Sequence, residues 1–192
     1  MGRARNRRGE GARLRIEILA AATGLLDRGD ERTVTLRAVA RAAGITAPSI
    51  YPHFPDQSAI LRAVAQLASA ELAHRLSTAV GAAGEDARQR LLAACRAYLD
   101  FATAHPRLYR SMFDPARGRA DPGDPVLRLL ARTLADCATA GQSGSTDPAA
   151  DAVALWLGLH GLADQLTVQS VFPWPADLLP QLVSALARLG PT

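Results

Sequence analysis

The sequence predicts an all-α protein, and three of its features carry the prediction. Hydrophobic residues make up 48% of the 192 positions and aromatics only 5%. Alanine and leucine are prominent, whereas a sheet protein would lean on β-branched and aromatic residues. Apolar residues also recur at helical spacing in one segment after another. Start and stop residues punctuate those segments, with Thr35 and Asp56 before helices and Gly29 and Gly44 after them. About nine helices fit this pattern, three of them in an N-terminal domain and the rest in a larger C-terminal one.

Residues 1–12 read as a basic arm. Positions 1–15 hold Arg3, Arg5, Arg7, Arg8, Arg13 and Arg15 against Glu10 alone. Such an arm attracts phosphate or enters a minor groove, and it is equally a solvated tail that orders only on a polyanion. All 22 basic residues of the chain are arginine, the better bidentate partner for phosphate and guanine. The first helix follows, with Leu14, Ile18, Ala22 and Leu25 in one stripe, Leu26 beside it, and Gly29 as its stop. Its basic flank and the run ILAAATGLL imitate a secretory signal. Arg13, Arg15 and Glu17 at helical spacing, with Asp27 directly after, argue for a scaffold helix instead.

The stretch LRAVARAAGITAPSIYPHFP (36–55) is a helix-turn-helix pattern. Val39 and Ala40 share a face, Gly44 supplies the left-handed residue that ends the helix, and Ile45 and Ile50 anchor the next one. Thr46, Ala47, Pro48 and Ser49 are exposed and short, as a helix that brings base edges close requires. Thr46 is placed to cap that helix, and Pro48 sits in its first turn, where the missing N–H removes no bond. Ala47 and Pro48 offer only apolar contact, and the Thr46 and Ser49 hydroxyls discriminate weakly. Thr35 caps the preceding helix and stands beside a helix N-terminus that suits a phosphate. A DNA-binding domain over 13–58 follows from this pattern.

From about Arg15 to Val64 the chain resembles the DNA-binding domain of the tetracycline-repressor (TetR) family. The most specific string is Ser49-Ile50-Tyr51-Pro52-His53-Phe54, directly after the helix-turn-helix. The resemblance implies that Tyr51 and His53 contact DNA phosphates and that Arg37 reaches a base or a phosphate. It also implies binding at position 57, where the family usually has lysine and this chain has Gln57. Glutamine keeps a hydrogen bond but loses one charge, so the salt dependence should be shallower by roughly 0.9 in slope.

The remainder, residues 59–192, reads as a regulatory and dimerisation domain. A long fourth helix carries Ile60, Val64, Leu67, Leu72 and Leu76. A fifth carries Leu91, Cys95, Tyr98, Leu99 and Ala102, and a short sixth has Leu108, Tyr109, Met112 and Phe113. DPARGRADPGDP (114–125) is a loop, Val126 to Leu134 mark a seventh helix, and GQSGSTDP (141–148) is a second loop. The eighth, over 148–170, is apolar or small nearly all round, and its face of Ala154, Gly158, Gly161 and Gln165 admits another helix closely. The ninth repeats Leu179, Leu182, Val183 and Leu186 over two faces. One chain can hardly cover both, so a homodimer through these last two helices is expected. Trp156-Leu-Gly-Leu-His160-Gly161 further resembles the tryptophan-histidine-glycine (WHG) C-terminal domain of part of the TetR family.

Cys95, Tyr98, Tyr109, Met112, Phe113, Trp156 and His160 are candidates to line a site for a small apolar effector, the Trp156–His160 pair foremost; each serves equally as core. Cys95 and Cys137 lack metal-ligand spacing and read as reduced, buried thiols of a cytoplasmic protein. No metal or cofactor is expected. An enzyme would have to use His160 with Asp164, without a nucleophile or phosphate loop, so none is expected. No apolar run reaches the ~20 residues of a membrane span. Through the resemblance, the expected function is a ligand-responsive regulator on pseudo-palindromic operator DNA, most simply a repressor. Activation, or control by a protein partner, uses the same parts.

Overall fold

The computed structural model describes residues 10–113, 124–167 and 173–191. The basic arm up to residue 9, most of the loop after residue 113 and the last predicted turn of the eighth helix lie outside them. Among the described residues are α1 (Glu10–Arg28), α2 (Leu36–Ala42), α3 (Gln57–Ala82), α4 (Ala87–Ala104), α5 (Pro106–Met112), α6 (Pro125–Thr139), α7 (Pro148–Thr167) and α8 (Leu178–Leu186). Two 3₁₀ turns, Glu31–Thr33 and Ala47–Ser49, complete the helical elements, and a lone antiparallel bridge joins Ser143 to Leu189. The chain is all-α. It divides into two compact units. One takes the chain up to Ala68 together with α5 from Arg107 on; the other runs from Ser69 to Pro106 and takes in α6, α7 and α8.

The first unit is built around α1, which buries Ile18, Leu19, Ala22 and Leu26 at helical spacing and packs on α2. Val34, Val39, Ala40, Ile50, Phe54, Ile60 and Val64 complete its core. The end of α2 is fixed by its own backbone. Gly44 adopts φ +67°, its N–H donates to Arg41 O at 3.3 Å, and the Ile45 N–H donates to Ala40 O at 2.9 Å. These two bonds satisfy carbonyls that a helix end leaves open, and only a left-handed residue lets both form.

In the second unit α6 packs on α7, and α4 on both, with α8 against α7 and α4. Its core holds Leu91, Cys95, Tyr98, Phe101, Leu130, Leu134, Leu155 and Leu159. Gly158 is where α8 comes closest: a Cβ there would lie 2.5 Å from Leu186 Cδ1 and 3.4 Å from Leu182 Cδ2. The small-residue face of α7 does admit another helix, but at Gly158 that helix is α8 of the same chain. Val183 is likewise fully buried within its own chain. Both residues thus already meet α8 or the core of their own chain, Gly158 half-buried and Val183 fully buried.

Polar contacts hold the far end of this unit. Asp86 caps α4 by accepting the Gln89 N–H at 2.8 Å, and the Gln142 amide adds to the cap through Arg88 N at 2.9 Å and Asp86 Oδ2 at 2.9 Å. Arg88 also donates to Gly190 O, while the Gly144 N–H donates to Arg188 O at 2.9 Å. Asp151 accepts from Ser145 Oγ at 2.7 Å and pairs with Arg188 Nε at 3.0 Å. These bonds join the start of α4, the α6–α7 loop and the stretch after α8. Hydrogen bonds, first that of the Gln89 N–H and then that of the Gln142 side chain, hold the Asp86 carboxyl below its ordinary range.

Candidate nucleic-acid interface

The reading segment is shorter than a helix. Ala47–Ser49 forms a single 3₁₀ turn, and Tyr51 to His53 continue as a turn rather than a helix. The sequence explains the departure from the expected recognition helix. Pro48 in the first turn costs no bond, but Pro52, four residues on, would press its ring against the Pro48 carbonyl and disfavours a helical Tyr51. Ile50, with none of its surface exposed, pins the turn to the core, and both the His53 and Phe54 N–H groups donate to its carbonyl, at 2.8 and 2.9 Å.

Thr46 has the extended backbone of an N-cap, but its hydroxyl makes no capping bond. It lies 2.9 Å from the Ser49 hydroxyl, and either can donate. The expected capping role of Thr46 is thereby corrected: with so short a turn, the hydroxyl finds a side-chain partner instead of a backbone N–H. Thr35 does cap α2, accepting the Ala38 N–H at 3.1 Å. Thr35, Arg37, Thr46, Pro48 and Tyr51 are exposed, while Ala47, Ser49, His53 and Gln57 are half-buried.

Three supporting residues were hidden in the sequence. Arg15, counted with the basic arm, belongs to α1; its guanidinium lies 4.4 Å from the Phe54 ring centroid and reaches His53 O at 3.4 Å. The cation is spent on the turn that carries His53. Gln57 donates from Nε2 to Glu31 O at 2.8 Å. Arg107 of α5 donates to Asp27 O at the end of α1, at 3.0 Å, where a cation complements the helix dipole.

The seven effector candidates divide between the two units. In the second, Cys95 and Tyr98 are fully buried, and the Trp156 and His160 rings stack with centroids 5.7 Å apart and planes 14° apart. In the first, Tyr109 is buried and meets Phe113 edge-on at 5.0 Å, with Met112 half-buried next to it in sequence. The sequence reading passed over Phe101, whose ring faces His105 at 5.5 Å and the Arg75 guanidinium at 5.4 Å. Burial pushes the Cys95 thiol up to about 12 and the Cys137 thiol up to about 11. Of the candidate dimer residues, Gly161 and Gln165 are exposed, Ala154, Gly158, Leu179, Leu182 and Leu186 half-buried and Val183 buried. Beside them on α7, Val153 is 45% and Leu157 57% exposed. Among the described residues no group of three or more His, Cys, Asp or Glu side chains is placed to hold a metal ion, and no helix is long and apolar enough to cross a membrane.

A family model described as "Bacterial regulatory proteins, tetR family" matches residues 18–64. Another, described as "Tetracyclin repressor-like, C-terminal domain", matches residues 91–189. Among solved structures, a protein of unknown function from Rhodococcus sp. RHA1 is similar with a TM-score of 0.75 at 26% identity, over 96% of this chain and 95% of that one. A TetR-family transcriptional regulator from Pectobacterium atrosepticum reaches 0.73 at 26% identity, over 95% and 94%. A fatty acid degradation regulator from Bacillus halodurans, with a TM-score of 0.67 over 90% and 97%, is 14% identical and shares the fold alone. No curated protein matches significantly.

Proposed function

The chain belongs to the tetracycline-repressor family of transcriptional regulators, and from that premise we propose a cytoplasmic homodimeric repressor that leaves a pseudo-palindromic operator when a small apolar effector binds. The observation that carries this reading is the short-sided run Thr46–Ala47–Pro48–Ser49, with Thr46 and Pro48 exposed and Ala47 and Ser49 half-buried, held to the core by Ile50 and flanked by the cap of α2 and by Tyr51. Nothing long projects from it, so base edges can approach, while Thr35, Tyr51 and His53 offer hydrogen bonds to phosphate. Arg37 adds a charge at the start of α2.

The second subunit is supported by the bare apolar stripe of Val153 and Leu157 beside Gly161 on α7, which a copy of the same helix covers. The aromatic groups of α4 and α7 suit an apolar effector. Its binding displaces α3, which continues into the first unit, and so alters the spacing of the two readers. Operator DNA must then weaken effector binding by the same factor.

The test is selection of duplexes from a random pool by the purified protein, followed by footprinting and by release assays with a panel of apolar small molecules. The expected result is two half-sites about 34 Å apart or somewhat more, with release by one class of molecule. Binding without site preference, or a monomer at micromolar concentration, would overturn the reading. Selection of a site with no release by any small molecule would shift control to a protein partner.

A further inference from the structure

Between α1 and α2 the chain turns through Asp30 to Thr35 with one apolar anchor, the fully buried Val34. Short polar bonds shape the rest. The Thr33 N–H donates to Asp30 Oδ1 at 3.2 Å and the Thr33 hydroxyl to Asp30 O at 2.6 Å, and the Val34 N–H donates to Glu31 O at 3.1 Å. That same Glu31 carbonyl accepts Gln57 Nε2 at 2.8 Å, in partly buried surroundings. A carbonyl oxygen has two lone pairs, and here one closes the 3₁₀ turn while the other ties the turn to the first residue of α3. Thr35, the cap of α2, comes directly after Val34.

The geometry points to Gln57 as a positioning residue: its amide holds the Asp30–Thr35 connector, and thereby the phosphate-facing start of α2, in register with α3, without itself touching DNA. The inference rests on the DNA-binding reading above and deepens it. A neutral amide half-buried on a backbone carbonyl is committed before any phosphate arrives. Because α3 belongs to both units, the bond also gives a movement of that helix a direct grip on the start of α2.

Gln57→Met keeps the length of the side chain and removes its donor. In the DNA-free full-length protein the Thr33 and Val34 amides should exchange about three- to tenfold faster, the range expected for one neutral hydrogen bond. Affinity for duplexes selected by the wild-type protein should fall by a similar factor, with an unchanged salt slope because no charge is lost. In a Thr35→Ala background the same substitution should cost less than about twofold, since coupled residues do not add. Gln57→Glu, an acid suited to a helix start but unable to donate when ionised, should lose the same amide protection. Weaker DNA binding with unchanged exchange in the free protein would mean that Gln57 touches DNA itself, and would overturn the proposal. So would faster exchange with unchanged affinity, additive losses with Thr35→Ala, or retained protection in Gln57→Glu. If the wild-type protein selects no duplex, the DNA-binding reading fails, whereas the exchange measurement still decides whether the brace exists.

Discussion

Tyr51 stands 56% exposed at the edge of the reading turn, so its ring adds little to the core and its hydroxyl is available to a partner. Tyr51→Phe should therefore leave thermal stability unchanged and weaken binding to every duplex by about 0.5–1.5 kcal/mol, as a neutral hydrogen bond would; titration against selected and scrambled duplexes checks both. The two thiols behave in the opposite way. Their folded values of about 12 and about 11 lie above the ordinary 9.0, so the native state keeps protons that the unfolded chain releases. Stability from this source is complete below pH 9 and is lost as the pH rises above it, until about 11 for Cys137 and about 12 for Cys95. Urea midpoints at pH 8 and pH 10 should move less in a Cys95→Ala/Cys137→Ala variant than in the wild type.

Elements are where local rules and tertiary context meet. Gly44 has φ +67° and nothing within 4 Å of a Cβ added to it, so Gly44→Ala meets no clash and should cost only the left-handed backbone strain, about 1–2 kcal/mol. Chemical denaturation measures it directly. The stop at Gly44, the cap at Thr35 and the helical stripes of α1 and α4 were legible in the sequence because each depends on residues a few positions apart. The reading segment was legible as a place but not as a shape. Its conversion to a 3₁₀ turn follows from Pro52, four residues after Pro48, a signal present in the sequence but outweighed by the helix-turn-helix pattern. The cap of α4 was also within reach, since Asp86 stands three residues before Gln89 as capping sequences do. Gln57 to Glu31 and Arg107 to Asp27 were not, because nothing local links positions 26 and 80 residues apart.

At the scale of the whole molecule, α7 separates two uses of glycine that look alike in the sequence. Gly158 is filled from within by α8, whereas Gly161 has nothing within 4 Å of an added Cβ. In a lone chain Gly161→Ala should raise stability, by up to about 1 kcal/mol of helix propensity. If a second subunit approaches there, the same methyl group should weaken self-association, and sedimentation alongside denaturation would show the two effects with opposite sign. Whichever way association is tuned, the Thr46–Ser49 hydroxyl pair sets a limit on what each reader can say. Since either hydroxyl can be the donor, in the proposed DNA-bound state a donor or an acceptor on a facing base edge is met by rotating the pair. A reader of this kind is forgiving about letters. Under the proposed reading, targets are then told apart chiefly as a ruler does, by the distance between two tolerant marks.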